Sequence, residues 1–252
     1  MRPRARLLLS LALLLTACGL TPERPAPAVE PTAAAPAPAA ARRFLLDATD
    51  SEVVVLVYRG GRLAKFGHNH VIRLGGLEGR LDLAEPLDGS RLALSFPSAA
   101  MELDDPALRA EQGAGFESPL RPTDIAATRR NMLGPALLDA GTHPRIQVEG
   151  RVLGGRLPVL ETELTFRLRG HTSQLRLPVQ VEFDADLLRA EGELELLQTD
   201  LGLTPFSLLM GALVVQDRMM IRYRLVMRPE DFAPVDRIRA IRMGPSAIDR
   251  GP

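Results

Sequence analysis

Four histidines and one cysteine are the residues of this 252-residue chain most suited to metal or covalent chemistry. His68 and His70 stand two apart in Lys65-Phe66-Gly67-His68-Asn69-His70. On a strand, that spacing projects both imidazoles from one face, close enough to share a metal ion. A third ligand would come from His143 or His171, both expected in turns. The alternative is that these rings satisfy backbone groups at the rim of a fold or meet the headgroup of a ligand. His171, in Gly170-His171-Thr172, reads as a solvent-facing turn residue. Hydrolytic chemistry has no sequence support, since neither Gly-x-Ser-x-Gly nor His-Glu-x-x-His occurs. The carboxylates fall on the polar sides of alternating segments, where they read as surface charges. The expectation is a protein that is not an enzyme, with no catalytic residues and no cofactor.

The single cysteine, Cys18, closes Leu15-Thr16-Ala17-Cys18, after Arg2, Arg4 and Arg6 and an apolar run from Leu7 to Leu15. A basic start, a short apolar stretch and small residues before a cut site make a secretory signal. The run is shorter than the roughly 20 apolar residues that span a bilayer. A cysteine at that position resembles a bacterial lipoprotein signal, cleaved before Cys18 and acylated on it; an ordinary secretory signal is the alternative. Residues 1–17 are then signal peptide, and 18–41 an acylated N-terminus with a tether of Ala, Pro, Thr and Glu. Gly19, rather than an aspartate, favours the outer membrane, facing the periplasm. One cysteine makes no intramolecular disulfide. Lys and Arg number 31 against 31 Asp and Glu, so no field draws nucleic acid.

Two-residue periodicity dominates residues 42–228. Leu160, Thr162, Leu164, Phe166 and Leu168 share one face, with Glu161, Glu163, Thr165, Arg167 and Arg169 on the other. The same holds for Leu175, Leu177, Val179, Val181 and Phe183, for Leu188 to Leu196, and for Met219 to Met227. Shorter strands are expected at Val53 to Tyr58, Val71 to Leu74, Leu77 to Leu83, Arg91 to Phe96 and Ile146 to Leu153. Glycine pairs such as Gly60-Gly61, Gly75-Gly76 and Gly154-Gly155 read as turns. Between Pro122 and Leu138, Ile125, Met132, Leu133 and Leu137 recur at helical spacing, with Arg129 and Arg130 outward and a disturbance near Gly134-Pro135. Strands with one apolar and one charged face must bury the apolar faces together. A spanning barrel would need apolar, aromatic-belted outer faces, whereas this chain has no tryptophan and two tyrosines. The fold class is all-β, an antiparallel barrel with one amphipathic helix, followed by an irregular tail at 229–252.

Several short blocks, in order from about Ala64 to Met227, carry a resemblance. They are Lys65 to His70, Asp124 to Leu133 with Leu138-Asp139 and His143-Pro144, Glu163 to Thr172, and Thr199 to Leu203 with Gly211 and Val215-Gln216-Asp217. Together they resemble the YceI-like family of secreted bacterial proteins with a lipocalin-like barrel that binds polyisoprenoid or related lipids. The sequence departs from the family in having His171 where a small apolar residue is usual, and in Asn131-Met132. The resemblance implies an apolar channel holding an isoprenoid or fatty-acyl tail. Its lining would include Phe66, His68, His70, Phe96, Leu164, Phe166, Leu175, Leu177, Val179, Ile221 and Tyr223. Low aromatic content and the interior glycines Gly79, Gly150 and Gly192 favour a hollow over a solid core. The expected partners are a lipid ligand and, through the acyl anchor, a membrane; a homodimer is left open.

Overall fold

In the computed structural model, residues 42–184 and 187–231 are described. The signal segment, Cys18, the tether and the tail beyond Asp231 lie outside them.

β1 (Arg42–Leu46) and β2 (Glu52–Gly60) run along one edge of the long β12 (Leu213–Pro229), so they form one strand interrupted at 47–51. β3 (His70–Arg73) pairs with β2 and β4 (Glu78–Leu83) with β1, making a second interrupted strand. β5 (Arg91–Pro97) beside β4 and β6 (Glu102–Leu103) beside β3 make a third. The chain then continues through β7 (Arg145–Arg156), β8 (Val159–Leu168), β9 (His171–Asp184) and β10 (Leu187–Leu197). A two-residue β11 (Ser207–Leu208) folds back on the start of β12. Pairing of β1 with β12 closes the ring β1-β4-β5-β7-β8-β9-β10-β12, eight strands with every pair antiparallel. This is the all-β antiparallel barrel expected from the alternation, in the lipocalin-like form that the resemblance implied. Closure gives each strand of the ring two neighbours, which removes the exposed edges that an open sheet would present.

The inward positions of β8 are the predicted ones: Leu160, Thr162, Phe166 and Leu168 are buried, and the Thr162 hydroxyl donates to the Leu177 carbonyl at 2.8 Å. β2 departs from simple alternation, because its run Val53-Val54-Val55-Leu56-Val57 is apolar throughout. Val53, Val55 and Val57 face the interior, while Val54 and Leu56 pack outside the wall with Val71, Leu108 and Phe116. The outer cover is a segment after β6 that includes α1 (Pro106–Glu111), a short helix the periodicity did not announce. Its start is signalled locally: Asp105 accepts from the Leu108 amide at 2.9 Å and Pro106 follows it.

Five further readings change. α2 (Pro122–Leu133) ends at Gly134-Pro135 instead of reaching Leu138, because proline cannot continue the helical ladder. Arg129 does not point outward; its guanidinium donates to the carbonyls of Met101 and Ala99, both at 2.5 Å, and ties α2 to the turn after β5. Gly154-Gly155 is a bulge inside β7, where the register against β8 shifts, and not a turn. The β8–β9 turn is Arg169-Gly170, both with positive φ, so His171 already belongs to β9 and pairs with Leu168. β12 also runs one residue past the expected boundary, to Pro229.

Candidate ligand cavity and its polar mouth

The barrel interior holds a cavity of about 680 Å³, a size usual for a small-molecule site. Leu164 and Phe166 from β8, Leu177 and Val179 from β9, and Ile221 and Tyr223 from β12 contribute to its wall. Phe96 from β5 does too, as do Phe66, His68 and His70 before and at the start of β3. Leu175 is the exception among the predicted lining residues: it packs against the barrel core without facing the cavity. Phe66 is largely exposed and stands at the rim.

The interior glycines do not make the hollow. A Cβ on Gly79 would lie 2.6 Å from Leu94 Cδ2, and one on Gly150 would lie 3.2 Å from Leu92 and Leu164 side-chain atoms. One on Gly192 would lie 3.0 Å from the Tyr223 hydroxyl. Neighbouring side chains already occupy the space beside each glycine, so glycine here admits a wall residue and not a ligand. The void comes instead from wall positions held by Val, Leu and Ala of modest reach.

Polar lining residues gather at one end. Arg59 closes β2, His68 lies in the loop before β3, and α2 presents Asp124, Thr128 and Asn131. Positions 124, 127, 128 and 131 form one stripe of a helix, so α2 turns a mainly polar stripe to the cavity while Met132 packs into the core. The helical spacing of Ile125, Met132 and Leu133 marks only the apolar face of α2, so this polar stripe carries no periodic signal in the sequence. The opposite depth of the cavity, with Leu92, Val179, Ala190 and Leu225, is apolar.

The histidines do not act as a pair on one strand, because His68 precedes β3 and only His70 belongs to it. His70 Nδ1 lies 2.5 Å from Asp104 Oδ2. Asp104 is fully buried and also accepts from the Val71 amide at 3.0 Å and from Arg109 Nη1 at 2.6 Å. Burial pushes its carboxyl up, but the His70 hydrogen bond and charge, the Val71 amide and Arg109 outweigh that and hold it below the usual carboxylate range. An ionised carboxylate only accepts, so Nδ1 carries the hydrogen and Nε2 is the nitrogen left for a ligand. His68 is held below the ordinary histidine value by burial first, then by the charges of His70 and Arg109. Among the described residues, no three His, Cys, Asp or Glu side chains come close enough to share a metal ion. His143 lies near Gly170 and His171 against Gly202, and neither lines the cavity.

Asp104 was invisible in the sequence. The only local hint was Asp104-Asp105 between two short elements, and Asp104 itself has φ 57°, a left-handed conformation in which Asp is tolerated better than most residues.

No family model matches the sequence, and no curated protein matches it. Among solved structures, the chain is similar to BcnA of Burkholderia cenocepacia, with 11% identity and a TM-score of 0.53 over 72% of this chain and 98% of that one. A YceI protein of Campylobacter jejuni aligns at 8% identity and a TM-score of 0.39, over 52% of this chain and 70% of that one. The BcnA likeness shows a shared barrel fold.

Proposed function

We propose that the barrel binds a hydrophobic lipid, an isoprenoid or a fatty-acyl chain, without covalent chemistry. The single observation that supports this reading most is the polarity gradient of one cavity: apolar walls in depth, and Arg59, His68, His70, Asp124 and Asn131 at the mouth. An amphiphile has the same gradient, so its tail would occupy the interior and its headgroup the mouth. Burying a chain contributes about 0.8 kcal/mol per methylene, enough for tight binding with few polar contacts. The YceI-like sequence blocks support polyisoprenoid as the class. With the lipoprotein signal, the setting we propose is the periplasmic side of the outer membrane, anchored through Cys18.

Extraction of the purified protein followed by mass spectrometry tests the reading, together with the melting temperature on adding an isoprenoid alcohol or fatty acid. Recovery of a lipid, or a rise of several degrees, supports it. A protein that carries no lipid and does not respond to either compound is not this carrier.

A further inference from the structure

The mouth of the barrel exposes more apolar surface than the cavity requires. Phe66, Leu209 and Met210 are 66%, 68% and 105% exposed. Leu209 and Met210 form the tip of the β11–β12 hairpin with φ 51° and 55°. They are the central residues of a turn closed by the Gly211 amide on the Leu208 carbonyl at 3.1 Å. Turns with positive φ at both central positions ordinarily use Asn and Gly there, because a larger side chain is crowded against its own backbone in that conformation. Two strained, solvent-facing apolar residues do nothing for folding.

The Phe66 turn and this hairpin belong to one rim. The Leu63 amide donates to the Ala212 carbonyl at 2.8 Å, and a Cβ on Gly67 would lie 2.9 Å from Leu213 Cδ1. Phe66 and Leu208 also line the cavity, so rim and interior form one continuous apolar surface. The charge is equally one-sided. From Val53 to Leu77 there are four cationic residues and no carboxylate, and from Leu201 to Gln216 there is no charged residue at all. The cations at the rim include exposed Arg62 and Lys65, and Lys65 Nζ sits 5.0 Å from the Phe66 ring centroid. The carboxylate that α2 brings to the mouth, Asp124, is held by Arg121 through two 2.9 Å bonds.

We propose that this rim docks on an anionic lipid bilayer, with Phe66, Leu209 and Met210 in the headgroup–acyl boundary and Arg62 and Lys65 among the phosphates. Apolar side chains ringed by cations are what such a surface selects. A second copy of this rim would bring like charges together. The proposal deepens the carrier reading, because a docked mouth lets a tail pass between barrel and bilayer without crossing water. Docking nonetheless stands or falls by itself.

The chain has no tryptophan, so one introduced tryptophan reports its own surroundings. Leu209→Trp places it on the rim, and Leu157→Trp places it in the β7–β8 turn, at the opposite end of the meander. Both are made in the full chain and mixed with vesicles of phosphatidylcholine, with and without phosphatidylglycerol. The difference between probes is read, because the apolar N-terminal run could bring either variant to a vesicle. The expected result is a blue shift and severalfold quenching by brominated acyl chains at position 209, little at 157, and dependence on phosphatidylglycerol. Lys65→Glu with Met210→Glu should weaken the partitioning about tenfold. Phe66→Trp repeats the measurement should the hairpin variant fold poorly. Equal responses at the two ends, or none at 209 and 66, overturn the proposal. A shift that follows protein concentration without vesicles assigns the rim to a second copy and also overturns it. Lipid extraction of the unsubstituted chain keeps the two readings apart, since a loaded barrel with its rim intact that ignores vesicles sinks docking alone.

Discussion

Nδ1 of His70, a residue of the cavity wall, lies 2.5 Å from Oδ2 of Asp104, a carboxylate with no exposed surface. That carboxylate is anchored from behind by Arg109 at 2.6 Å. The arrangement joins the hollow interior to the outer cover: β3 supplies the histidine, the turn after β6 the acid, and α1 the arginine. A ligand that meets His70 therefore meets a ring whose orientation is set by a buried ion pair.

Removing one partner of that pair should be costly. Asp104→Asn leaves the Arg109 guanidinium nearly buried without a counter-charge, for which a loss of about 3–5 kcal/mol is expected. Urea unfolding measures it. Combining Asp104→Leu with Arg109→Met should recover much of the loss, whereas a single-variant loss below about 1 kcal/mol would mean that water reaches the pair.

The pH dependence follows from His68. Its folded value is lowered by burial and by neighbouring positive charge, so between that value and about 6.5 the unfolded chain holds the extra proton. The contribution of His68 is therefore full above about pH 6.5 and is lost as pH falls through the lowered value. Melting temperatures between pH 8 and pH 5 should decline, and His68→Gln should flatten the decline. The Asp104 contribution has the same direction but belongs to more acidic conditions, being lost as pH falls through a value below the usual carboxylate range.

A hollow interior and a packed outer layer predict unequal costs for neighbouring residues on β2. Leu56 is 2% exposed and packed among Leu108, Phe116 and Val71, so Leu56→Ala should cost about 2–5 kcal/mol. Val55 borders the cavity, and Val55→Ala enlarges a void already present, for an expected loss of about 1 kcal/mol or less. Equal costs, once scaled for the methyl groups removed, would argue that the interior is filled.

Filling the void should separate folding from binding. Val148, on β7, lines the cavity. Val148→Phe should lower the lipid recovered by extraction at least tenfold, with an overpacking cost near 1–3 kcal/mol. Undiminished lipid recovery would place the ligand elsewhere.

Much of the barrel was legible because an antiparallel strand with one wet and one dry face repeats every two residues. That rule located β8, β9, β10 and β12 and their inward residues directly. It failed where both faces of a strand are covered, as on β2, and where helix α1 is too short for a periodic signal. Of the site, the aliphatic and aromatic wall residues could be read from their strand faces. Asp104 could not, because its burial depends on three partners drawn from β3 and α1.

By itself, then, the sequence determined an antiparallel barrel of alternating strands, with an apolar inside and a charged outside. It also determined a helix beginning at Pro122 and disturbed near Gly134-Pro135, and a lone Cys18 in a lipoprotein-like setting. These are local properties, written in the spacing of side chains along one segment. Only the tertiary structure decided that the inside is hollow, and that the hollow does not lie at Gly79, Gly150 and Gly192, whose adjoining space is filled by neighbouring side chains. It alone turned the polar stripe of α2 toward the mouth, buried Asp104 behind His70, and set Phe66 beside the strained tip at Leu209 and Met210. Voids, buried charges and rims are made by residues far apart in the chain, and no periodicity within one segment encodes which of them will meet.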